Sequence, residues 1–158
     1  MNPTSIRRAA RLAVNVTSAI AAHHWGDQYA QGGPDGKDPL EKGQPGANGR
    51  ARCLRHVRSY TLTHAASQLA ANTAMGIRTH PVVFVGGHVS TGVLHYVMDR
   101  SRDSGRLVAL LSRLPGMPDK VEYFDRGGQA ALDQSWHWVC LMTWAVADAR
   151  ASERRAER

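Results

Sequence analysis

Cysteine is scarce in this chain of 158 residues: Cys53 and Cys140 are the only two, and they form no C-x-x-C pair. That leaves no basis for a disulfide framework and points to a reducing setting, read here as cytoplasmic. Aromatic residues make up only 6%, and runs of β-branched residues are few. With abundant alanine, this favours helix over sheet. No stretch of about 18 uninterrupted apolar residues occurs, so no integral membrane span is expected. The apolar stretch after Arg7, Arg8 and Arg11 is broken by Asn15, Thr17 and Ser18, with no clear cleavage site after it. It does not read as a signal peptide. Acidic residues are outnumbered, 13 against 20 Lys and Arg, for a formal charge of +7. A basic balance suits an anionic partner, whether nucleic acid, a nucleotide or an anionic membrane surface, or else a solvated basic surface. The G-x-S-x-G elbow, the P-loop, H-E-x-x-H, the dinucleotide fingerprint after a strand and zinc-finger spacing are all missing, which removes the common signatures of those chemistries.

What is present is helical periodicity. The pattern predicts an all-α bundle of four main helices plus a short helix, in one domain over residues 1–158, with a His/Asp-lined centre. Thr4 or Ser5 caps a first helix reaching about Tyr29, with Leu12, Val16 and Ile20 as its buried stripe, continuing to His23 and Asp27. Residues 31–49, rich in Gly and Pro, read as a long flexible loop. A second helix covers 50–75, with Leu54, Val57, Leu62, Leu69 and Met75 as apolar members and a polar stripe of His56, Tyr60, His64 and Ser67. Gly76 stops it. Pro81 opens a third helix to about Arg102, its stripe Val85, His88, Gly92, His95 and Asp99. The short helix falls at 105–114. A last helix runs from about Gly128 to Arg150, with Ala130, Asp133, His137, Cys140 and Trp144 inside. Residues 151–158 form a charged tail.

Three of these helices carry a His and an Asp four residues apart: His23 with Asp27, His95 with Asp99, and Asp133 with His137. Residues at that spacing share one helix face. A buried carboxylate must be paired or liganded, and bundles build metal sites from side chains on facing helices. The expected ligands are therefore His23, Asp27, His56, His95, Asp99, Asp133 and His137, holding one or two divalent transition ions, Zn, Mn or Fe. Tyr60 and His64 are the candidate proton donors. Lys37, Lys42 and Arg100 are candidates for binding substrate anions. His24, His80 and His88 are weaker candidates, with His80 read as a cap or surface residue. The chemistry such a centre suits is hydrolysis of a phosphate ester. The competing readings are a basic DNA-binding regulator with structural His/Asp networks, a di-iron oxygenase using the same ligands, and an interaction protein without activity.

The run His23-x-x-x-Asp27, a Lys-containing loop, His56-Val57-x-x-Tyr60, His95-x-x-x-Asp99-Arg100 and Leu132-Asp133-Gln134-x-x-His137-x-x-Cys140-Leu141 resembles a family of small bacterial and phage proteins of unknown function (domain of unknown function 3307). The resemblance covers about residues 20–145. It implies that His23, Asp27, His56, Tyr60, His95, Asp99, Asp133 and His137 fall on the family's polar positions. Many members are labelled transcriptional regulators. The glycine-rich stretch 32–49 departs from the family in composition, and the resemblance supplies no mechanism.

Overall fold

The computed structural model describes residues 2–103 and 121–156, with the isolated positions 106, 109, 112, 113 and 115 between them. The expected short helix at 105–114 lies largely outside these residues. Helix α1 spans Pro3–His24. Its cap is Asn2, not Thr4 or Ser5: Asn2 Oδ1 accepts the Ser5 N–H at 2.8 Å, and Pro3 fills the first helical position, where a missing N–H costs nothing. The helix does not stop at His24. It widens into a π turn, Trp25–Tyr29, and the inserted turn keeps Asp27 buried.

After it, residues 30–45 form a strap that contains a short helix α2, Asp38–Glu41. The strap is held by charge. Arg52 pairs with Asp35 at 2.8 Å, Asp38 at 2.9 Å and Glu41 at 2.9 Å, and Arg55 pairs with Asp38 at 2.7 Å. The stretch expected to be a flexible loop is thus tied to α3, Gly46–Ala74, which also starts earlier than its apolar pattern suggested. Gly49 is required here: a Cβ on it would stand 1.9 Å from the Gln44 carbonyl oxygen of the strap.

Gly76, at φ +65°, ends α3 as expected, with Ile77 N–H closing back on the Asn72 carbonyl at 2.8 Å. Helix α4 spans Pro81–Asp103, and the Val83 N–H donates to His80 Nδ1 at 3.4 Å, the capping role read for His80. A short helix α5, Val121–Tyr123, and a second π turn, Phe124–Gly128, lead into α6, Gln129–Ala156. Helices α1 and α4 each pack against both α3 and α6. The four long helices therefore form a square in which α1 and α4 are diagonal. The all-α bundle read from the sequence is the fold.

The interior has the His/Asp-lined centre read from the sequence, but most aliphatic members of the stripes are partly or wholly exposed. An apolar cluster exists, Ala19, Leu141, Trp144 and Ala145, with Leu12 and Val16 packed against it. Elsewhere polar side chains occupy the centre. In α1 the fully buried positions include Asn15 and His23, not the Leu12, Val16, Ile20 stripe. In α3 the buried row is His56, Tyr60, His64, Gln68 and Asn72, while Leu54, Leu62, Leu69 and Met75 are exposed. In α4, Val85 is exposed and His88, His95 and Asp99 are buried. In α6, Asp133, His137 and Trp144 lie inside as expected, but Ala130 does not.

Far from the His/Asp pairs, Asp148 accepts from Arg11 Nε at 2.7 Å and Asn15 Nδ2 at 2.7 Å. Asn15 Oδ1 in turn accepts from Gln68 Nε2 at 2.7 Å. Arg11 therefore faces the bundle. By length and composition, Pro81–Ser101 is the one helical stretch among the described residues apolar enough to cross a membrane, although no uninterrupted apolar run of that length exists.

Candidate metal centre

Four side chains from three elements meet at one end of the bundle. Asp27 comes from the π turn, His56 from α3, and His95 and Asp99 from successive turns of α4. His56 Nε2 lies 3.1 Å from Asp27 Oδ1 and 3.3 Å from Asp99 Oδ2. His95 Nε2 lies 3.4 Å from each of the same two oxygens, and the two Nε2 atoms are 2.9 Å apart. A tetrahedron drawn around an ion with bonds of about 2.0–2.1 Å has edges of about 3.3–3.4 Å. The His–His and His–carboxylate separations, 2.9–3.4 Å, are close to that figure. Asp27, His56 and His95 form a group whose donor atoms all lie within 4.8 Å of one another, with Asp99 beside the two imidazoles. Asp27 Oδ1 and both oxygens of Asp99 are buried and make no properly directed hydrogen bond. Proximity without hydrogen-bond geometry, among carboxylates and imidazoles, is an arrangement that could hold a metal ion.

Inside the same shell stands the Lys42 ammonium, 3.0 Å from Asp99 Oδ2, 3.0 Å from His56 Nε2 and 3.8 Å from Asp27 Oδ1. The strap delivers it. Arg100 Nη1 donates to the backbone carbonyls of Lys42 and Gln44, both at 2.8 Å. Of the residues expected to bind substrate anions, Lys42 is buried among carboxylates and Arg100 clamps the strap backbone. Lys37 is exposed on the strap.

The charges explain the arrangement. Burial works to raise the Asp27 carboxyl, but the His56 and His95 rings, close against it, and the nearby ammonium outweigh that and hold it below the usual range. For Asp99, burial is again outweighed, by His95 first and then Lys42 and His56, and its carboxyl is also depressed. His95 goes the other way. Burial alone would lower it, yet the Asp27 and Asp99 carboxylates beside it raise it. His56 is lowered, because burial dominates its contact with Asp27. Two carboxylates thus face the Lys42 ammonium and two imidazoles, and positive charge is favoured at this point.

The remaining expected ligands form the wall beside this shell. His23, His95 and His137 have nitrogens within 4.8 Å of one another, so they too could hold an ion. However, the His95 and His137 rings stack with centroids 4.0 Å apart and planes 5° from parallel. Stacked imidazoles direct their in-plane lone pairs side by side rather than at a shared point, so the Asp27, His56, His95 set, with Asp99 against both imidazoles, is the better-formed site. His23 Nε2 meets Gln134 Oε1 at 2.9 Å, and Gln134 Nε2 donates to Asp27 Oδ2 at 3.1 Å. Gln134 was part of the sequence motif, and its bridging role was not anticipated. Asp133 Oδ1 is 3.7 Å from His137 Nε2 and does not join the four-donor shell.

Tyr60 stacks on His95 with centroids 4.2 Å apart, and its hydroxyl lies 3.4 Å from His23 Nδ1. Burial raises its phenol above the ordinary value. It is placed to fix the His95 ring. A cavity of about 310 Å³, lined by Asp27, Gln28, Gln31, Lys42, Ala130, Asp133 and Gln134, opens onto the shell between α1, the strap and α6.

His64, expected to be a proton donor, lies outside the shell. Its Nδ1 is 2.8 Å from His88 Nδ1, among the rings of Tyr60, Phe84 and Trp144. Burial pushes His64 down to about 3, reinforced by His88, and His88 down to about 4 against the pull of Asp148. Both are neutral when folded at pH 7, and their unfolded value is 6.5. Below pH 6.5 the unfolded chain takes up protons that the folded one refuses. The stabilisation is therefore complete above pH 6.5 and is lost as pH falls toward the folded values. Thermal unfolding in the presence of chelator should lose about 2 kcal/mol per histidine between pH 7 and pH 5. His64→Gln should flatten that dependence, and an unchanged slope would remove this pair as its origin.

No protein-family model matches the chain, and no curated protein and no solved structure is found similar to it.

Proposed function

We propose that this chain is a metal-dependent hydrolase of phosphate esters, with Asp27, His56, His95 and Asp99 as the ligands of a divalent transition ion. The observation that carries the reading is the spacing of these four donors at 2.9–3.4 Å in the measured pairs, together with the unsatisfied oxygens of Asp27 and Asp99. When bound, such an ion supplies a hydroxide near neutral pH and draws charge from a phosphoryl oxygen.

The chain's own residues do the rest. Gln134 holds Asp27 and His23 in register with each other. Tyr60 packs on His95 and fixes its plane. Lys42, displaced from the carboxylates by an ion of the same sign, remains tethered at the cavity mouth, where an ammonium binds a phosphate oxygen. Asp133 lines that mouth and is placed to orient a water. The net charge of +7 suits an anionic substrate, a nucleotide or nucleic acid among them. The resemblance to the uncharacterised bacterial and phage family is consistent with this reading but adds no chemistry to it.

The test is metal removal. Purified protein should contain close to one equivalent of Zn, Mn or Fe, or should take it up, and should hydrolyse p-nitrophenyl phosphate or its bis ester. Chelation should abolish turnover and re-addition of the ion should restore it. Protein that folds normally, binds none of these ions and hydrolyses neither ester would sink the proposal. Oxygen consumption in place of phosphate release would assign the same ligands to oxidative chemistry.

A further inference from the structure

The outward surface of α3 and α4 is as unusual as the interior. Along α4, Val82, Val85, Val89, Val93 and Val97 are all more than half exposed. Their spacings of three and four put them on one side of the helix, and Gly86 on the same side has open space where a Cβ would be. On α3, which packs alongside, Leu54, Leu62 and Leu69 are also about half exposed or more. A soluble monomer seldom leaves such a continuous apolar strip uncovered.

The charged residues around this strip have one sign. No Asp or Glu occurs anywhere between Glu41 and Asp99, and Asp99 itself is buried in the centre. The same interval carries Arg50, Arg52, Arg55, Arg58 and Arg78. Arg52 is committed to the strap, but Arg50, Arg58 and Arg78 are exposed, and Arg55 is partly so. Among the described residues, the exposed side chains of α3 and α4 around this strip are thus valine, leucine and arginine, and the nearby strap acids Asp35, Asp38 and Glu41 are engaged by Arg52 and Arg55.

We infer that this face docks on an anionic lipid surface. Two covers suit an apolar strip, a second copy of the chain or a bilayer, and the charges separate them. A two-fold contact between copies would set arginine rim against arginine rim in a chain already at +7, with the nearby strap acids engaged by Arg52 and Arg55. Anionic headgroups complement the arginines while the acyl boundary receives the valines. The geometry also agrees with a working centre. Helix α4 is diagonal to α1, and the cavity leading to Asp27 and Lys42 opens between α1, the strap and α6. Docking through the outer side of α4 leaves that mouth in water.

The test is flotation of the full chain with two kinds of vesicle, phosphatidylcholine alone and an equimolar mixture with phosphatidylserine. The protein should float with the mixed vesicles and hardly at all with the neutral ones. Val89→Asp together with Val93→Asp should reduce the bound fraction about ten-fold or more, with the far-ultraviolet dichroism unchanged. Arg58→Glu tests the charge separately, leaves the apolar strip intact and should weaken binding to the mixed vesicles alone. Absence of flotation with either vesicle overturns the inference. So does a dimer in sedimentation velocity without lipid that the Val89→Asp, Val93→Asp protein no longer forms, because the strip would then belong to a second copy. Equal binding to both vesicles removes the anionic part of the claim and leaves only the apolar contact.

Discussion

Asp99→Ala should lower affinity for a divalent transition ion by more than about 100-fold, because altering even an outer partner of a ligand costs about 10–100-fold and Asp99 stands in the shell itself. The same change should destabilise the metal-free protein. Asp99 is fully buried, and its loss leaves the Lys42 ammonium with only Asp27, 3.8 Å away, as a carboxylate partner. Breaking a buried pair from one side costs about 3–5 kcal/mol, which in a chain of this size is a fall in Tm of roughly 10 °C. Asp99→Asn separates the two effects. It keeps the volume and an acceptor oxygen, so it should recover part of the stability and little of the metal affinity. Calorimetric titration with Zn²⁺ and thermal unfolding in chelator measure the two quantities independently. Unchanged metal affinity in Asp99→Ala would show that the four-donor shell is not the site.

Lys42→Met has the opposite signature. Without metal, it removes the ammonium that stands between two buried carboxylates, and the protein should lose about 3 kcal/mol. With metal, the same removal helps, since the ion no longer has to displace a tethered cation. An internal competitor worth about 3 kcal/mol corresponds to about 100-fold in affinity, so the variant should bind Zn²⁺ about 100-fold more tightly than the parent. Its Tm should recover toward the parent's when the ion is added. If the cluster is only a structural salt-bridge network, Lys42→Met is simply destabilised and no ion rescues it. Turnover adds a third readout: with the ammonium gone from the mouth, KM for a phosphate ester should rise while the metal content stays full.

The helices and the best pair were legible because their signals are local. Pro81 as an opening residue, Gly76 as a stop, His80 as a cap and the four-residue spacing of His95 and Asp99 can all be read within one turn of chain. Repetition of that pattern on several helices pointed to a shared centre of Asp27, Asp99 and Asp133 with His23, His95 and His137, whereas His56 came only from the polar stripe of α3. What could not be read locally was which face of each helix turns inward. In α3 the row His56, Tyr60, His64, Gln68, Asn72 is the inner one and the leucines are not, because the first four find polar partners on other helices and Asn72 reaches Thr79 in the connection to α4. Partner choice is long range. Arg11 lies 137 residues from Asp148 in sequence, and nothing near either announces the pair. The strap hid its role for the same reason. Its Asp35, Asp38 and Glu41 look like solvated loop charges until Arg52 and Arg55 are seen to hold them. Lys42, read as a reach toward substrate, is turned inward by that anchoring.

The network of Arg11, Asn15, Gln68 and Asp148 carries a consequence for how the chain finds one structure. Helices lined with alanine and valine can slide past one another by a turn at little cost in apolar contact. Here a one-turn slip of α1 along α6 would strand Asp148 without Arg11 and Asn15, and at the other end of the same helices would part His23 and Asp27 from Gln134. Two sets of buried polar partners, near opposite ends of the α1–α6 contact, are lost in a single misalignment. The polar interior thus acts as a vernier that only one alignment of the helices satisfies. Correct register at the Asp148 end is what brings Asp27 level with His56, His95 and Asp99.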